Sequence, residues 1–222
     1  MHDNSMEHWI KLRQDEQECW NQGYKYVIGC DEVGRGALAG PCVAGAVILS
    51  SEFCLAELRD SKEATPKMRR AWTEIIKGQA VTWSIGQVEA PEIDMINIHQ
   101  ATLVAMNNAI TKAPVKPDFI LVDGRFKVFT TERIPQKAII KGDMKSAVIA
   151  AASIVAKVYR DELMIEYAKI YPEYGFERNK GYPTVKHMEA IRKIGPCPIH
   201  RQTYLKFLGD GQMDIFDFLK QG

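Results

Sequence analysis

The chain has 222 residues, 46% of them apolar and 26% charged, and no apolar run approaches the roughly 20 residues of a membrane span. Its net charge of +1 hides a gradient: residues 1–60 carry 5 basic and 10 acidic side chains, whereas residues 125–206 carry 16 and 8, a balance that suits a protein meeting phosphate on one face. The first 13 residues are polar and mixed in charge, which excludes a signal-peptide core and points to a cytoplasmic protein. In chain order, residues 6–22 are expected as one helix, with Met6, Trp9, Ile10 and Leu12 among charges. Residues 24–30 read as a strand, and Gly34, Gly36 and Gly40-Pro41 then break regular structure. Residues 42–49 are nearly all apolar, as in a strand buried on both faces. Thr65 as N-cap and Pro66 at the first helical position open a helix to Lys77. A strand over 80–88 precedes a helical stretch from Pro91 that resumes after a break and runs to Ile110. Short strands follow at 119–122 and 138–140, then a long helix from Met144 to about Tyr171, a loop over 172–181 and a helix over 182–193.

This order gives an α/β fold with a mixed sheet flanked by helices and a C-terminal helical extension. Residues 1–205 are expected as one domain and residues 206–222 as a tail. The five cysteines, Cys19, Cys30, Cys42, Cys54 and Cys197, contain no C-x-x-C pair, so idle thiols are expected rather than a zinc site or disulfides. Trp72 and Trp83 read as core, and His187 and His200 as structural.

The most informative stretch is Asp31-Glu32-Val33-Gly34-Arg35-Gly36, directly after a strand. Two adjacent acids at the end of an apolar strand need a cation if both are desolvated. Successive strand side chains point to opposite faces, so the chain is expected to leave strand geometry here, as the glycines permit. Asp123, before Gly124, ends another strand, and Asp143, after Lys141-Gly142, starts the long helix. Ligands of open α/β sheets bind at the carboxyl ends of strands. Four carboxylates converging there would form an all-oxygen site for Mg2+ or Mn2+, and two such ions about 4 Å apart suit phosphodiester hydrolysis. Taken singly, Asp143 also fits a helix N-cap, Asp123 a turn residue and Asp31-Glu32 a solvated strand end.

These motifs resemble those of the ribonuclease HII family, the type 2 ribonucleases H. The resemblance runs from the Asp31-Glu32 stretch and Ala39-Gly40-Pro41 through Asp60-Ser61-Lys62, Leu121-Val122-Asp123-Gly124 and Lys141-Gly142-Asp143. It continues in Ala150-Ala151-Ala152-Ser153-Ile154, Asn179-Lys180-Gly181-Tyr182 with Thr184 and His187, and Gly195-Pro196 with His200-Arg201. Arg rather than Lys between Gly34 and Gly36 favours type 2 over type 3.

The resemblance implies a ribonuclease H-like catalytic domain in which Asp31, Glu32, Asp123 and Asp143 hold the metal. It implies an endonuclease of RNA–DNA hybrids that also cuts 5′ of ribonucleotides embedded in DNA, leaving 3′-hydroxyl and 5′-phosphate ends, a place in ribonucleotide excision repair. It further implies that Gly34-Arg35-Gly36 and Tyr182 read the ribonucleotide's 2′-hydroxyl and its junction with DNA. Arg35, Lys62 and Ser146 are candidate phosphate contacts, with Lys145, Lys180 and Arg201 tracking the backbone; Lys62 also fits a solvated surface lysine. Gln212-Met213-Asp214-Ile215-Phe216 resembles a peptide that binds replication sliding clamps, and equally fits a small amphipathic helix on the body. A monomer is expected. Two rival readings are a DNA-repair endonuclease of the same fold and a non-catalytic hybrid-binding module. A 2′-hydroxyl reader argues against the first and four intact acids against the second. A small-molecule phosphate enzyme would need G-x-x-x-x-G-K-[ST], which is absent.

Overall fold

The computed structural model describes residues 2–58, 64–130 and 133–208. The stretch read as one helix at the start is two, α1 (His2–Leu12) and α2 (Gln14–Asn21). The interruption is Arg13, whose Nη2 donates to the Ser50 carbonyl at 2.7 Å and whose guanidinium lies over the rings of Trp9 and Trp20. The first strand, β1 (Val27–Val33), begins later than the sequence pattern suggests. The Asp118 carboxylate takes the Lys25 and Tyr26 N–H groups at 2.7 and 2.8 Å, so that segment pairs with a side chain instead of a strand. β2 (Cys42–Ile48) is buried along its whole length, as its apolar run implies.

Thr65 caps α3 (Pro66–Gln79), its hydroxyl accepting the Met68 N–H at 3.3 Å, and β3 (Thr82–Val88) follows. The expected break inside α4 (Ala90–Lys112) falls at Asn97, where φ is 66°. The Asn97 side chain there accepts the Gln100 N–H at 3.1 Å and so caps the second half. β4 (Phe119–Asp123) and β5 (Gln136–Ile139) lead into a 3-10 turn, Gly142–Met144, before α5 (Ala147–Ile170). Asp143 therefore sits in a separate turn and does not start the long helix. The stretch read as a loop holds two short pieces, a 3-10 turn at Pro172–Tyr174 and α6 (Phe176–Asn179). α7 (Val185–Ile194) starts later than expected because Pro183 keeps Tyr182 out of helical geometry and the extended Thr184 is the N-cap.

The strands form one mixed sheet in the order β3-β2-β1-β4-β5, β1 lying antiparallel to β2 and parallel to β4, and β4 parallel to β5. Residues within 1–33, 43–87 and 102–158 form one compact unit, which carries the sheet and the first half of α5. There α5 lies directly on the sheet. A Cβ at Gly29 would collide with the Val148 backbone and one at Gly45 with the Ala152 carbonyl. This approach explains the run Ala150-Ala151-Ala152, since larger side chains would hold the helix off. Trp72 is core, as expected, but Trp83 is 36% exposed, with Lys77 Nζ 5.0 Å from its ring centroid. All five cysteines are free thiols.

Residues within 34–42, 88–101 and 159–208 form a second compact unit, with its own core of Leu38, Met164, Tyr174, Phe176, Met188 and Ile191. Among the described residues, no helix is long and apolar enough to cross a membrane.

Candidate active site

The acids belong to the first unit. Because β1 and β4 are parallel neighbours, with Cys30 opposite Val122, their carboxyl ends share one edge of the sheet. Asp31 follows Cys30 and Asp123 follows Val122, so topology alone brings these two acids together. β1 stays a strand through Val33, contrary to the expected break, and Asp31 and Glu32 both lie in it, opposite Gly45 and Ala44. Even so, one carboxylate oxygen each from Asp31, Glu32 and Asp123 fall within 4.8 Å of one another. The reach of the side chains gathers them, without a kink in the strand.

Three features hold the cluster. The Asp31 carboxylate accepts its neighbour's N–H, from Glu32, at 2.7 Å, and a hydrogen bond from the Ser153 hydroxyl on α5. Asp123 Oδ1 accepts the Gly142 N–H at 2.6 Å, and the Asp143 N–H also reaches the Asp123 carboxylate. Lys141 enters the turn in the left-handed conformation, φ 58°, and a Cβ on Gly142 would stand 2.6 Å from Ile149 Cδ1. Lys141-Gly142-Asp143 is thus a tight turn that aims two amides at Asp123. Asp143 is buried outside the triplet, and its negative charge acts on Asp123.

The electrostatics are those of a site short of positive charge. Burial, then the charges of Glu32 and Asp123, push the Asp31 carboxyl well above its ordinary 3.8. Asp123 is also raised, by burial first and by Asp143, against the opposing effect of its backbone hydrogen bonds. A hard divalent cation among these oxygens would offset both causes. Among the described residues the donor set is entirely carboxylate, with no thiol or imidazole, and fits Mg2+ or Mn2+ better than a soft metal. Ser153 is the residue that motif reading left without a role. Its spacing from Asp31 becomes visible only once α5 lies on β1.

The glycine loop and Tyr182 belong to the second unit. Gly34 and Gly40 adopt φ of 92° and 84°, in the left-handed region that favours glycine. Arg35 and Gly36 are exposed and Tyr182 is partly exposed. Two residues sit elsewhere than expected. Arg201, read as a backbone-tracking cation, has no exposed surface. Ser146 is equally buried, with its hydroxyl lacking a partner among the described residues, so a phosphate would reach it only after rearrangement. His187 and His200 are buried and joined Nε2 to Nε2 at 3.1 Å, and His187 Nδ1 meets the Tyr182 carbonyl at 2.9 Å, in keeping with structural roles. Lys62 and the 212–216 segment lie outside the described residues.

Comparison with known proteins adds the following. A family model described as Ribonuclease HII matches residues 28–207. A ribonuclease HII of Chlorobium chlorochromatii is 50% identical over 202 residues, 88% of this chain and 97% of that protein. Among solved structures, ribonuclease H2 of Pyrococcus horikoshii is 27% identical with a TM-score of 0.68, covering 80% of this chain and 93% of that one. The Archaeoglobus fulgidus RNase HII solved in complex with PCNA is 23% identical with a TM-score of 0.70, covering 86% and 99%, and speaks to the fold alone.

Proposed function

The chain belongs to the ribonuclease HII family, and from that premise we propose that it hydrolyses the RNA strand of RNA–DNA hybrids and cuts 5′ of single ribonucleotides embedded in duplex DNA. It is an enzyme, a metal-dependent ribonuclease H. The observation that carries the finer reading is the Asp31-Glu32-Asp123 cluster, Asp31 buried and the other two half-buried, followed two residues along the chain by Gly34-Arg35-Gly36. Bound in pairs, divalent ions would stabilise the attacking and leaving oxygens of the phosphodiester, so that products end in 3′-hydroxyl and 5′-phosphate.

The chain's own residues hold and orient. Asp31, Glu32, Asp123 and Asp143 supply the oxygens. Ser153 and Gly142 fix the rotation of the Asp31 and Asp123 carboxylates, the supporting contacts on which metal sites depend. Backbone groups of the glycine loop can hydrogen-bond a 2′-hydroxyl, which only RNA has, while the Tyr182 ring stacks on the next sugar or base. Arg35 and Lys62 contact phosphates, positioning the duplex without reading sequence. Gln212-Met213-Asp214-Ile215-Phe216 is assigned to a replication sliding clamp, the protein to a monomer, and its place to the cytoplasm in ribonucleotide excision repair.

The test is cleavage with Mg2+ or Mn2+ of three labelled duplexes: one with a single ribonucleotide, one with a continuous RNA strand, and one all DNA. Cutting of the first two and not the third is expected. Cutting of the continuous hybrid alone would remove the single-ribonucleotide reading.

A further inference from the structure

Arg160 and Arg201 are fully buried, and neither makes a salt bridge among the described residues. A desolvated guanidinium is tolerated only where its donors are met. Apart from the Tyr204 hydroxyl, which also hydrogen-bonds Arg201, the acceptors are main-chain carbonyls. Arg201 donates to Gly34 and Arg35 at 2.7 Å each, and twice to Gly40, at 2.9 and 3.1 Å. Arg160 donates to Pro41 at 2.9 Å, Ala39 at 3.0 Å and Lys180 at 2.9 Å. Six carbonyls, five of them from the glycine loop, are thereby turned toward two cations.

The consequence follows from peptide geometry. In a trans peptide the N–H points opposite to the C=O, and no peptide here is cis. With the Gly34 and Arg35 carbonyls turned to Arg201, the Arg35 and Gly36 N–H groups are directed the other way, at two exposed residues. Those are two consecutive donors turned away from Arg201. The glycines match this division. A Cβ on Gly34 would strike the Arg160 guanidinium and one on Gly181 the Ala39 carbonyl, whereas Gly36 has nothing within 4 Å. Gly34 and Gly181 thus make room for the frame, and Gly36 leaves room for something outside it.

Arg160 also joins the loop to the segment bearing Tyr182. It holds the Lys180 carbonyl on one side and the Ala39 and Pro41 carbonyls on the other, and its guanidinium carbon lies 5.3 Å from the Tyr182 ring centroid. The Gly181 carbonyl accepts the Leu38 N–H at 2.8 Å, tying the same two segments.

We propose that Arg201 and Arg160 are positioning residues for ribonucleotide recognition: Arg201 aims the Arg35 and Gly36 amides, and Arg160 fixes Tyr182 against that loop. The proposal rests on the reading of the loop and Tyr182 given above. Lysine in place of Arg160 keeps the charge but cannot span three carbonyls in a fixed fork.

Arg160→Lys is compared with wild type on the single-ribonucleotide duplex and on the continuous hybrid, which lacks a DNA junction beside most cut sites. The ratio of kcat/KM values, single over continuous, is expected to fall about tenfold or more, the scale on which supporting contacts act. Mn2+ affinity, measured by calorimetry, stays at the wild-type value. A merely structural role would lower both rates by one common factor, and that result overturns the proposal. A wild type that cuts neither substrate removes the functional reading and this one with it. Should Arg160→Lys fail to fold, amide exchange of the wild type decides: protection of residues 37–40 at the level of the sheet supports a fixed loop, and exchange at unfolded rates overturns it.

Discussion

Glu16 offers a sharp test of the electrostatics. It lies in α2 with no exposed surface, and its Oε1 accepts the Val148 N–H at 2.8 Å, holding the first turn of α5, the helix that brings Ser153 to Asp31. Its other oxygen has no hydrogen-bond partner among the described residues. Desolvation outweighs the Val148 hydrogen bond and the Arg13 charge and pushes its pKa from 4.5 up to about 7. The folded state then holds the proton more tightly than the unfolded chain. The stabilising contribution is complete below pH 4.5 and is lost as pH rises through 7. At 1.36 kcal/mol per pKa unit, those two values give a loss of about 2.5 kcal/mol between pH 5 and pH 8. Glu16→Gln keeps an acceptor for the Val148 N–H but cannot ionise. Urea unfolding of both metal-free proteins at both pH values isolates the effect, because the active-site acids titrate in each and cancel in the difference. The variant should gain about 2.5 kcal/mol on wild type from pH 5 to pH 8. A difference that stays flat to within about 0.5 kcal/mol would refute the buried-carboxyl account.

Further outcomes follow from the same geometry. Gly45→Ala places a methyl group against the Ala152 carbonyl, which should destabilise the protein by about 1–3 kcal/mol and lower Tm by about 2–12 °C in a calorimetric scan; an unchanged Tm would mean that α5 does not lie so close to the sheet. Mn2+ at about 100 times its Kd should stabilise the protein by about 2.7 kcal/mol at pH 8, and Asp31→Asn should abolish most of that gain. Because the folded pKa values of Asp31 and Asp123 are raised, the metal-free protein loses stability as pH climbs above their ordinary 3.8. Protons compete with metal in the same window, so the Mn2+ gain should shrink as pH falls. An equal gain at pH 5 and pH 8, read by thermal shift, would place the metal elsewhere.

The sequence made much of the first unit legible. The apolar run at 42–49 announces a doubly buried strand, and Thr65-Pro66 announces a capped helix, because both signals are local. Asp31 and Asp123 could be read as neighbours since each ends an apolar strand, and parallel pairing does the rest. What stayed hidden depends on contacts distant in sequence. The break at Arg13 needs Ser50, and the late start of β1 needs Asp118. Arg201 looks like any basic residue after a turn, and only the fold reveals that its partners lie 161–167 positions away. Ser153 has no local signature either. Hydroxyls on helices are common, and its value comes from facing Asp31.

The central claim is that the four acids hold the metal that cuts. Its most direct test is to incubate a 5′-labelled duplex carrying one ribonucleotide with wild type and with Asp123→Asn, in Mg2+ and in EDTA. Wild type with Mg2+ should give one product, ending in a 3′-hydroxyl on the nucleotide 5′ of the ribonucleotide. EDTA should abolish it, and Asp123→Asn should lower the rate by more than about 100-fold, beyond what loss of a merely supporting contact produces. Cleavage that persists in EDTA, or survives the loss of Asp123, would contradict the account.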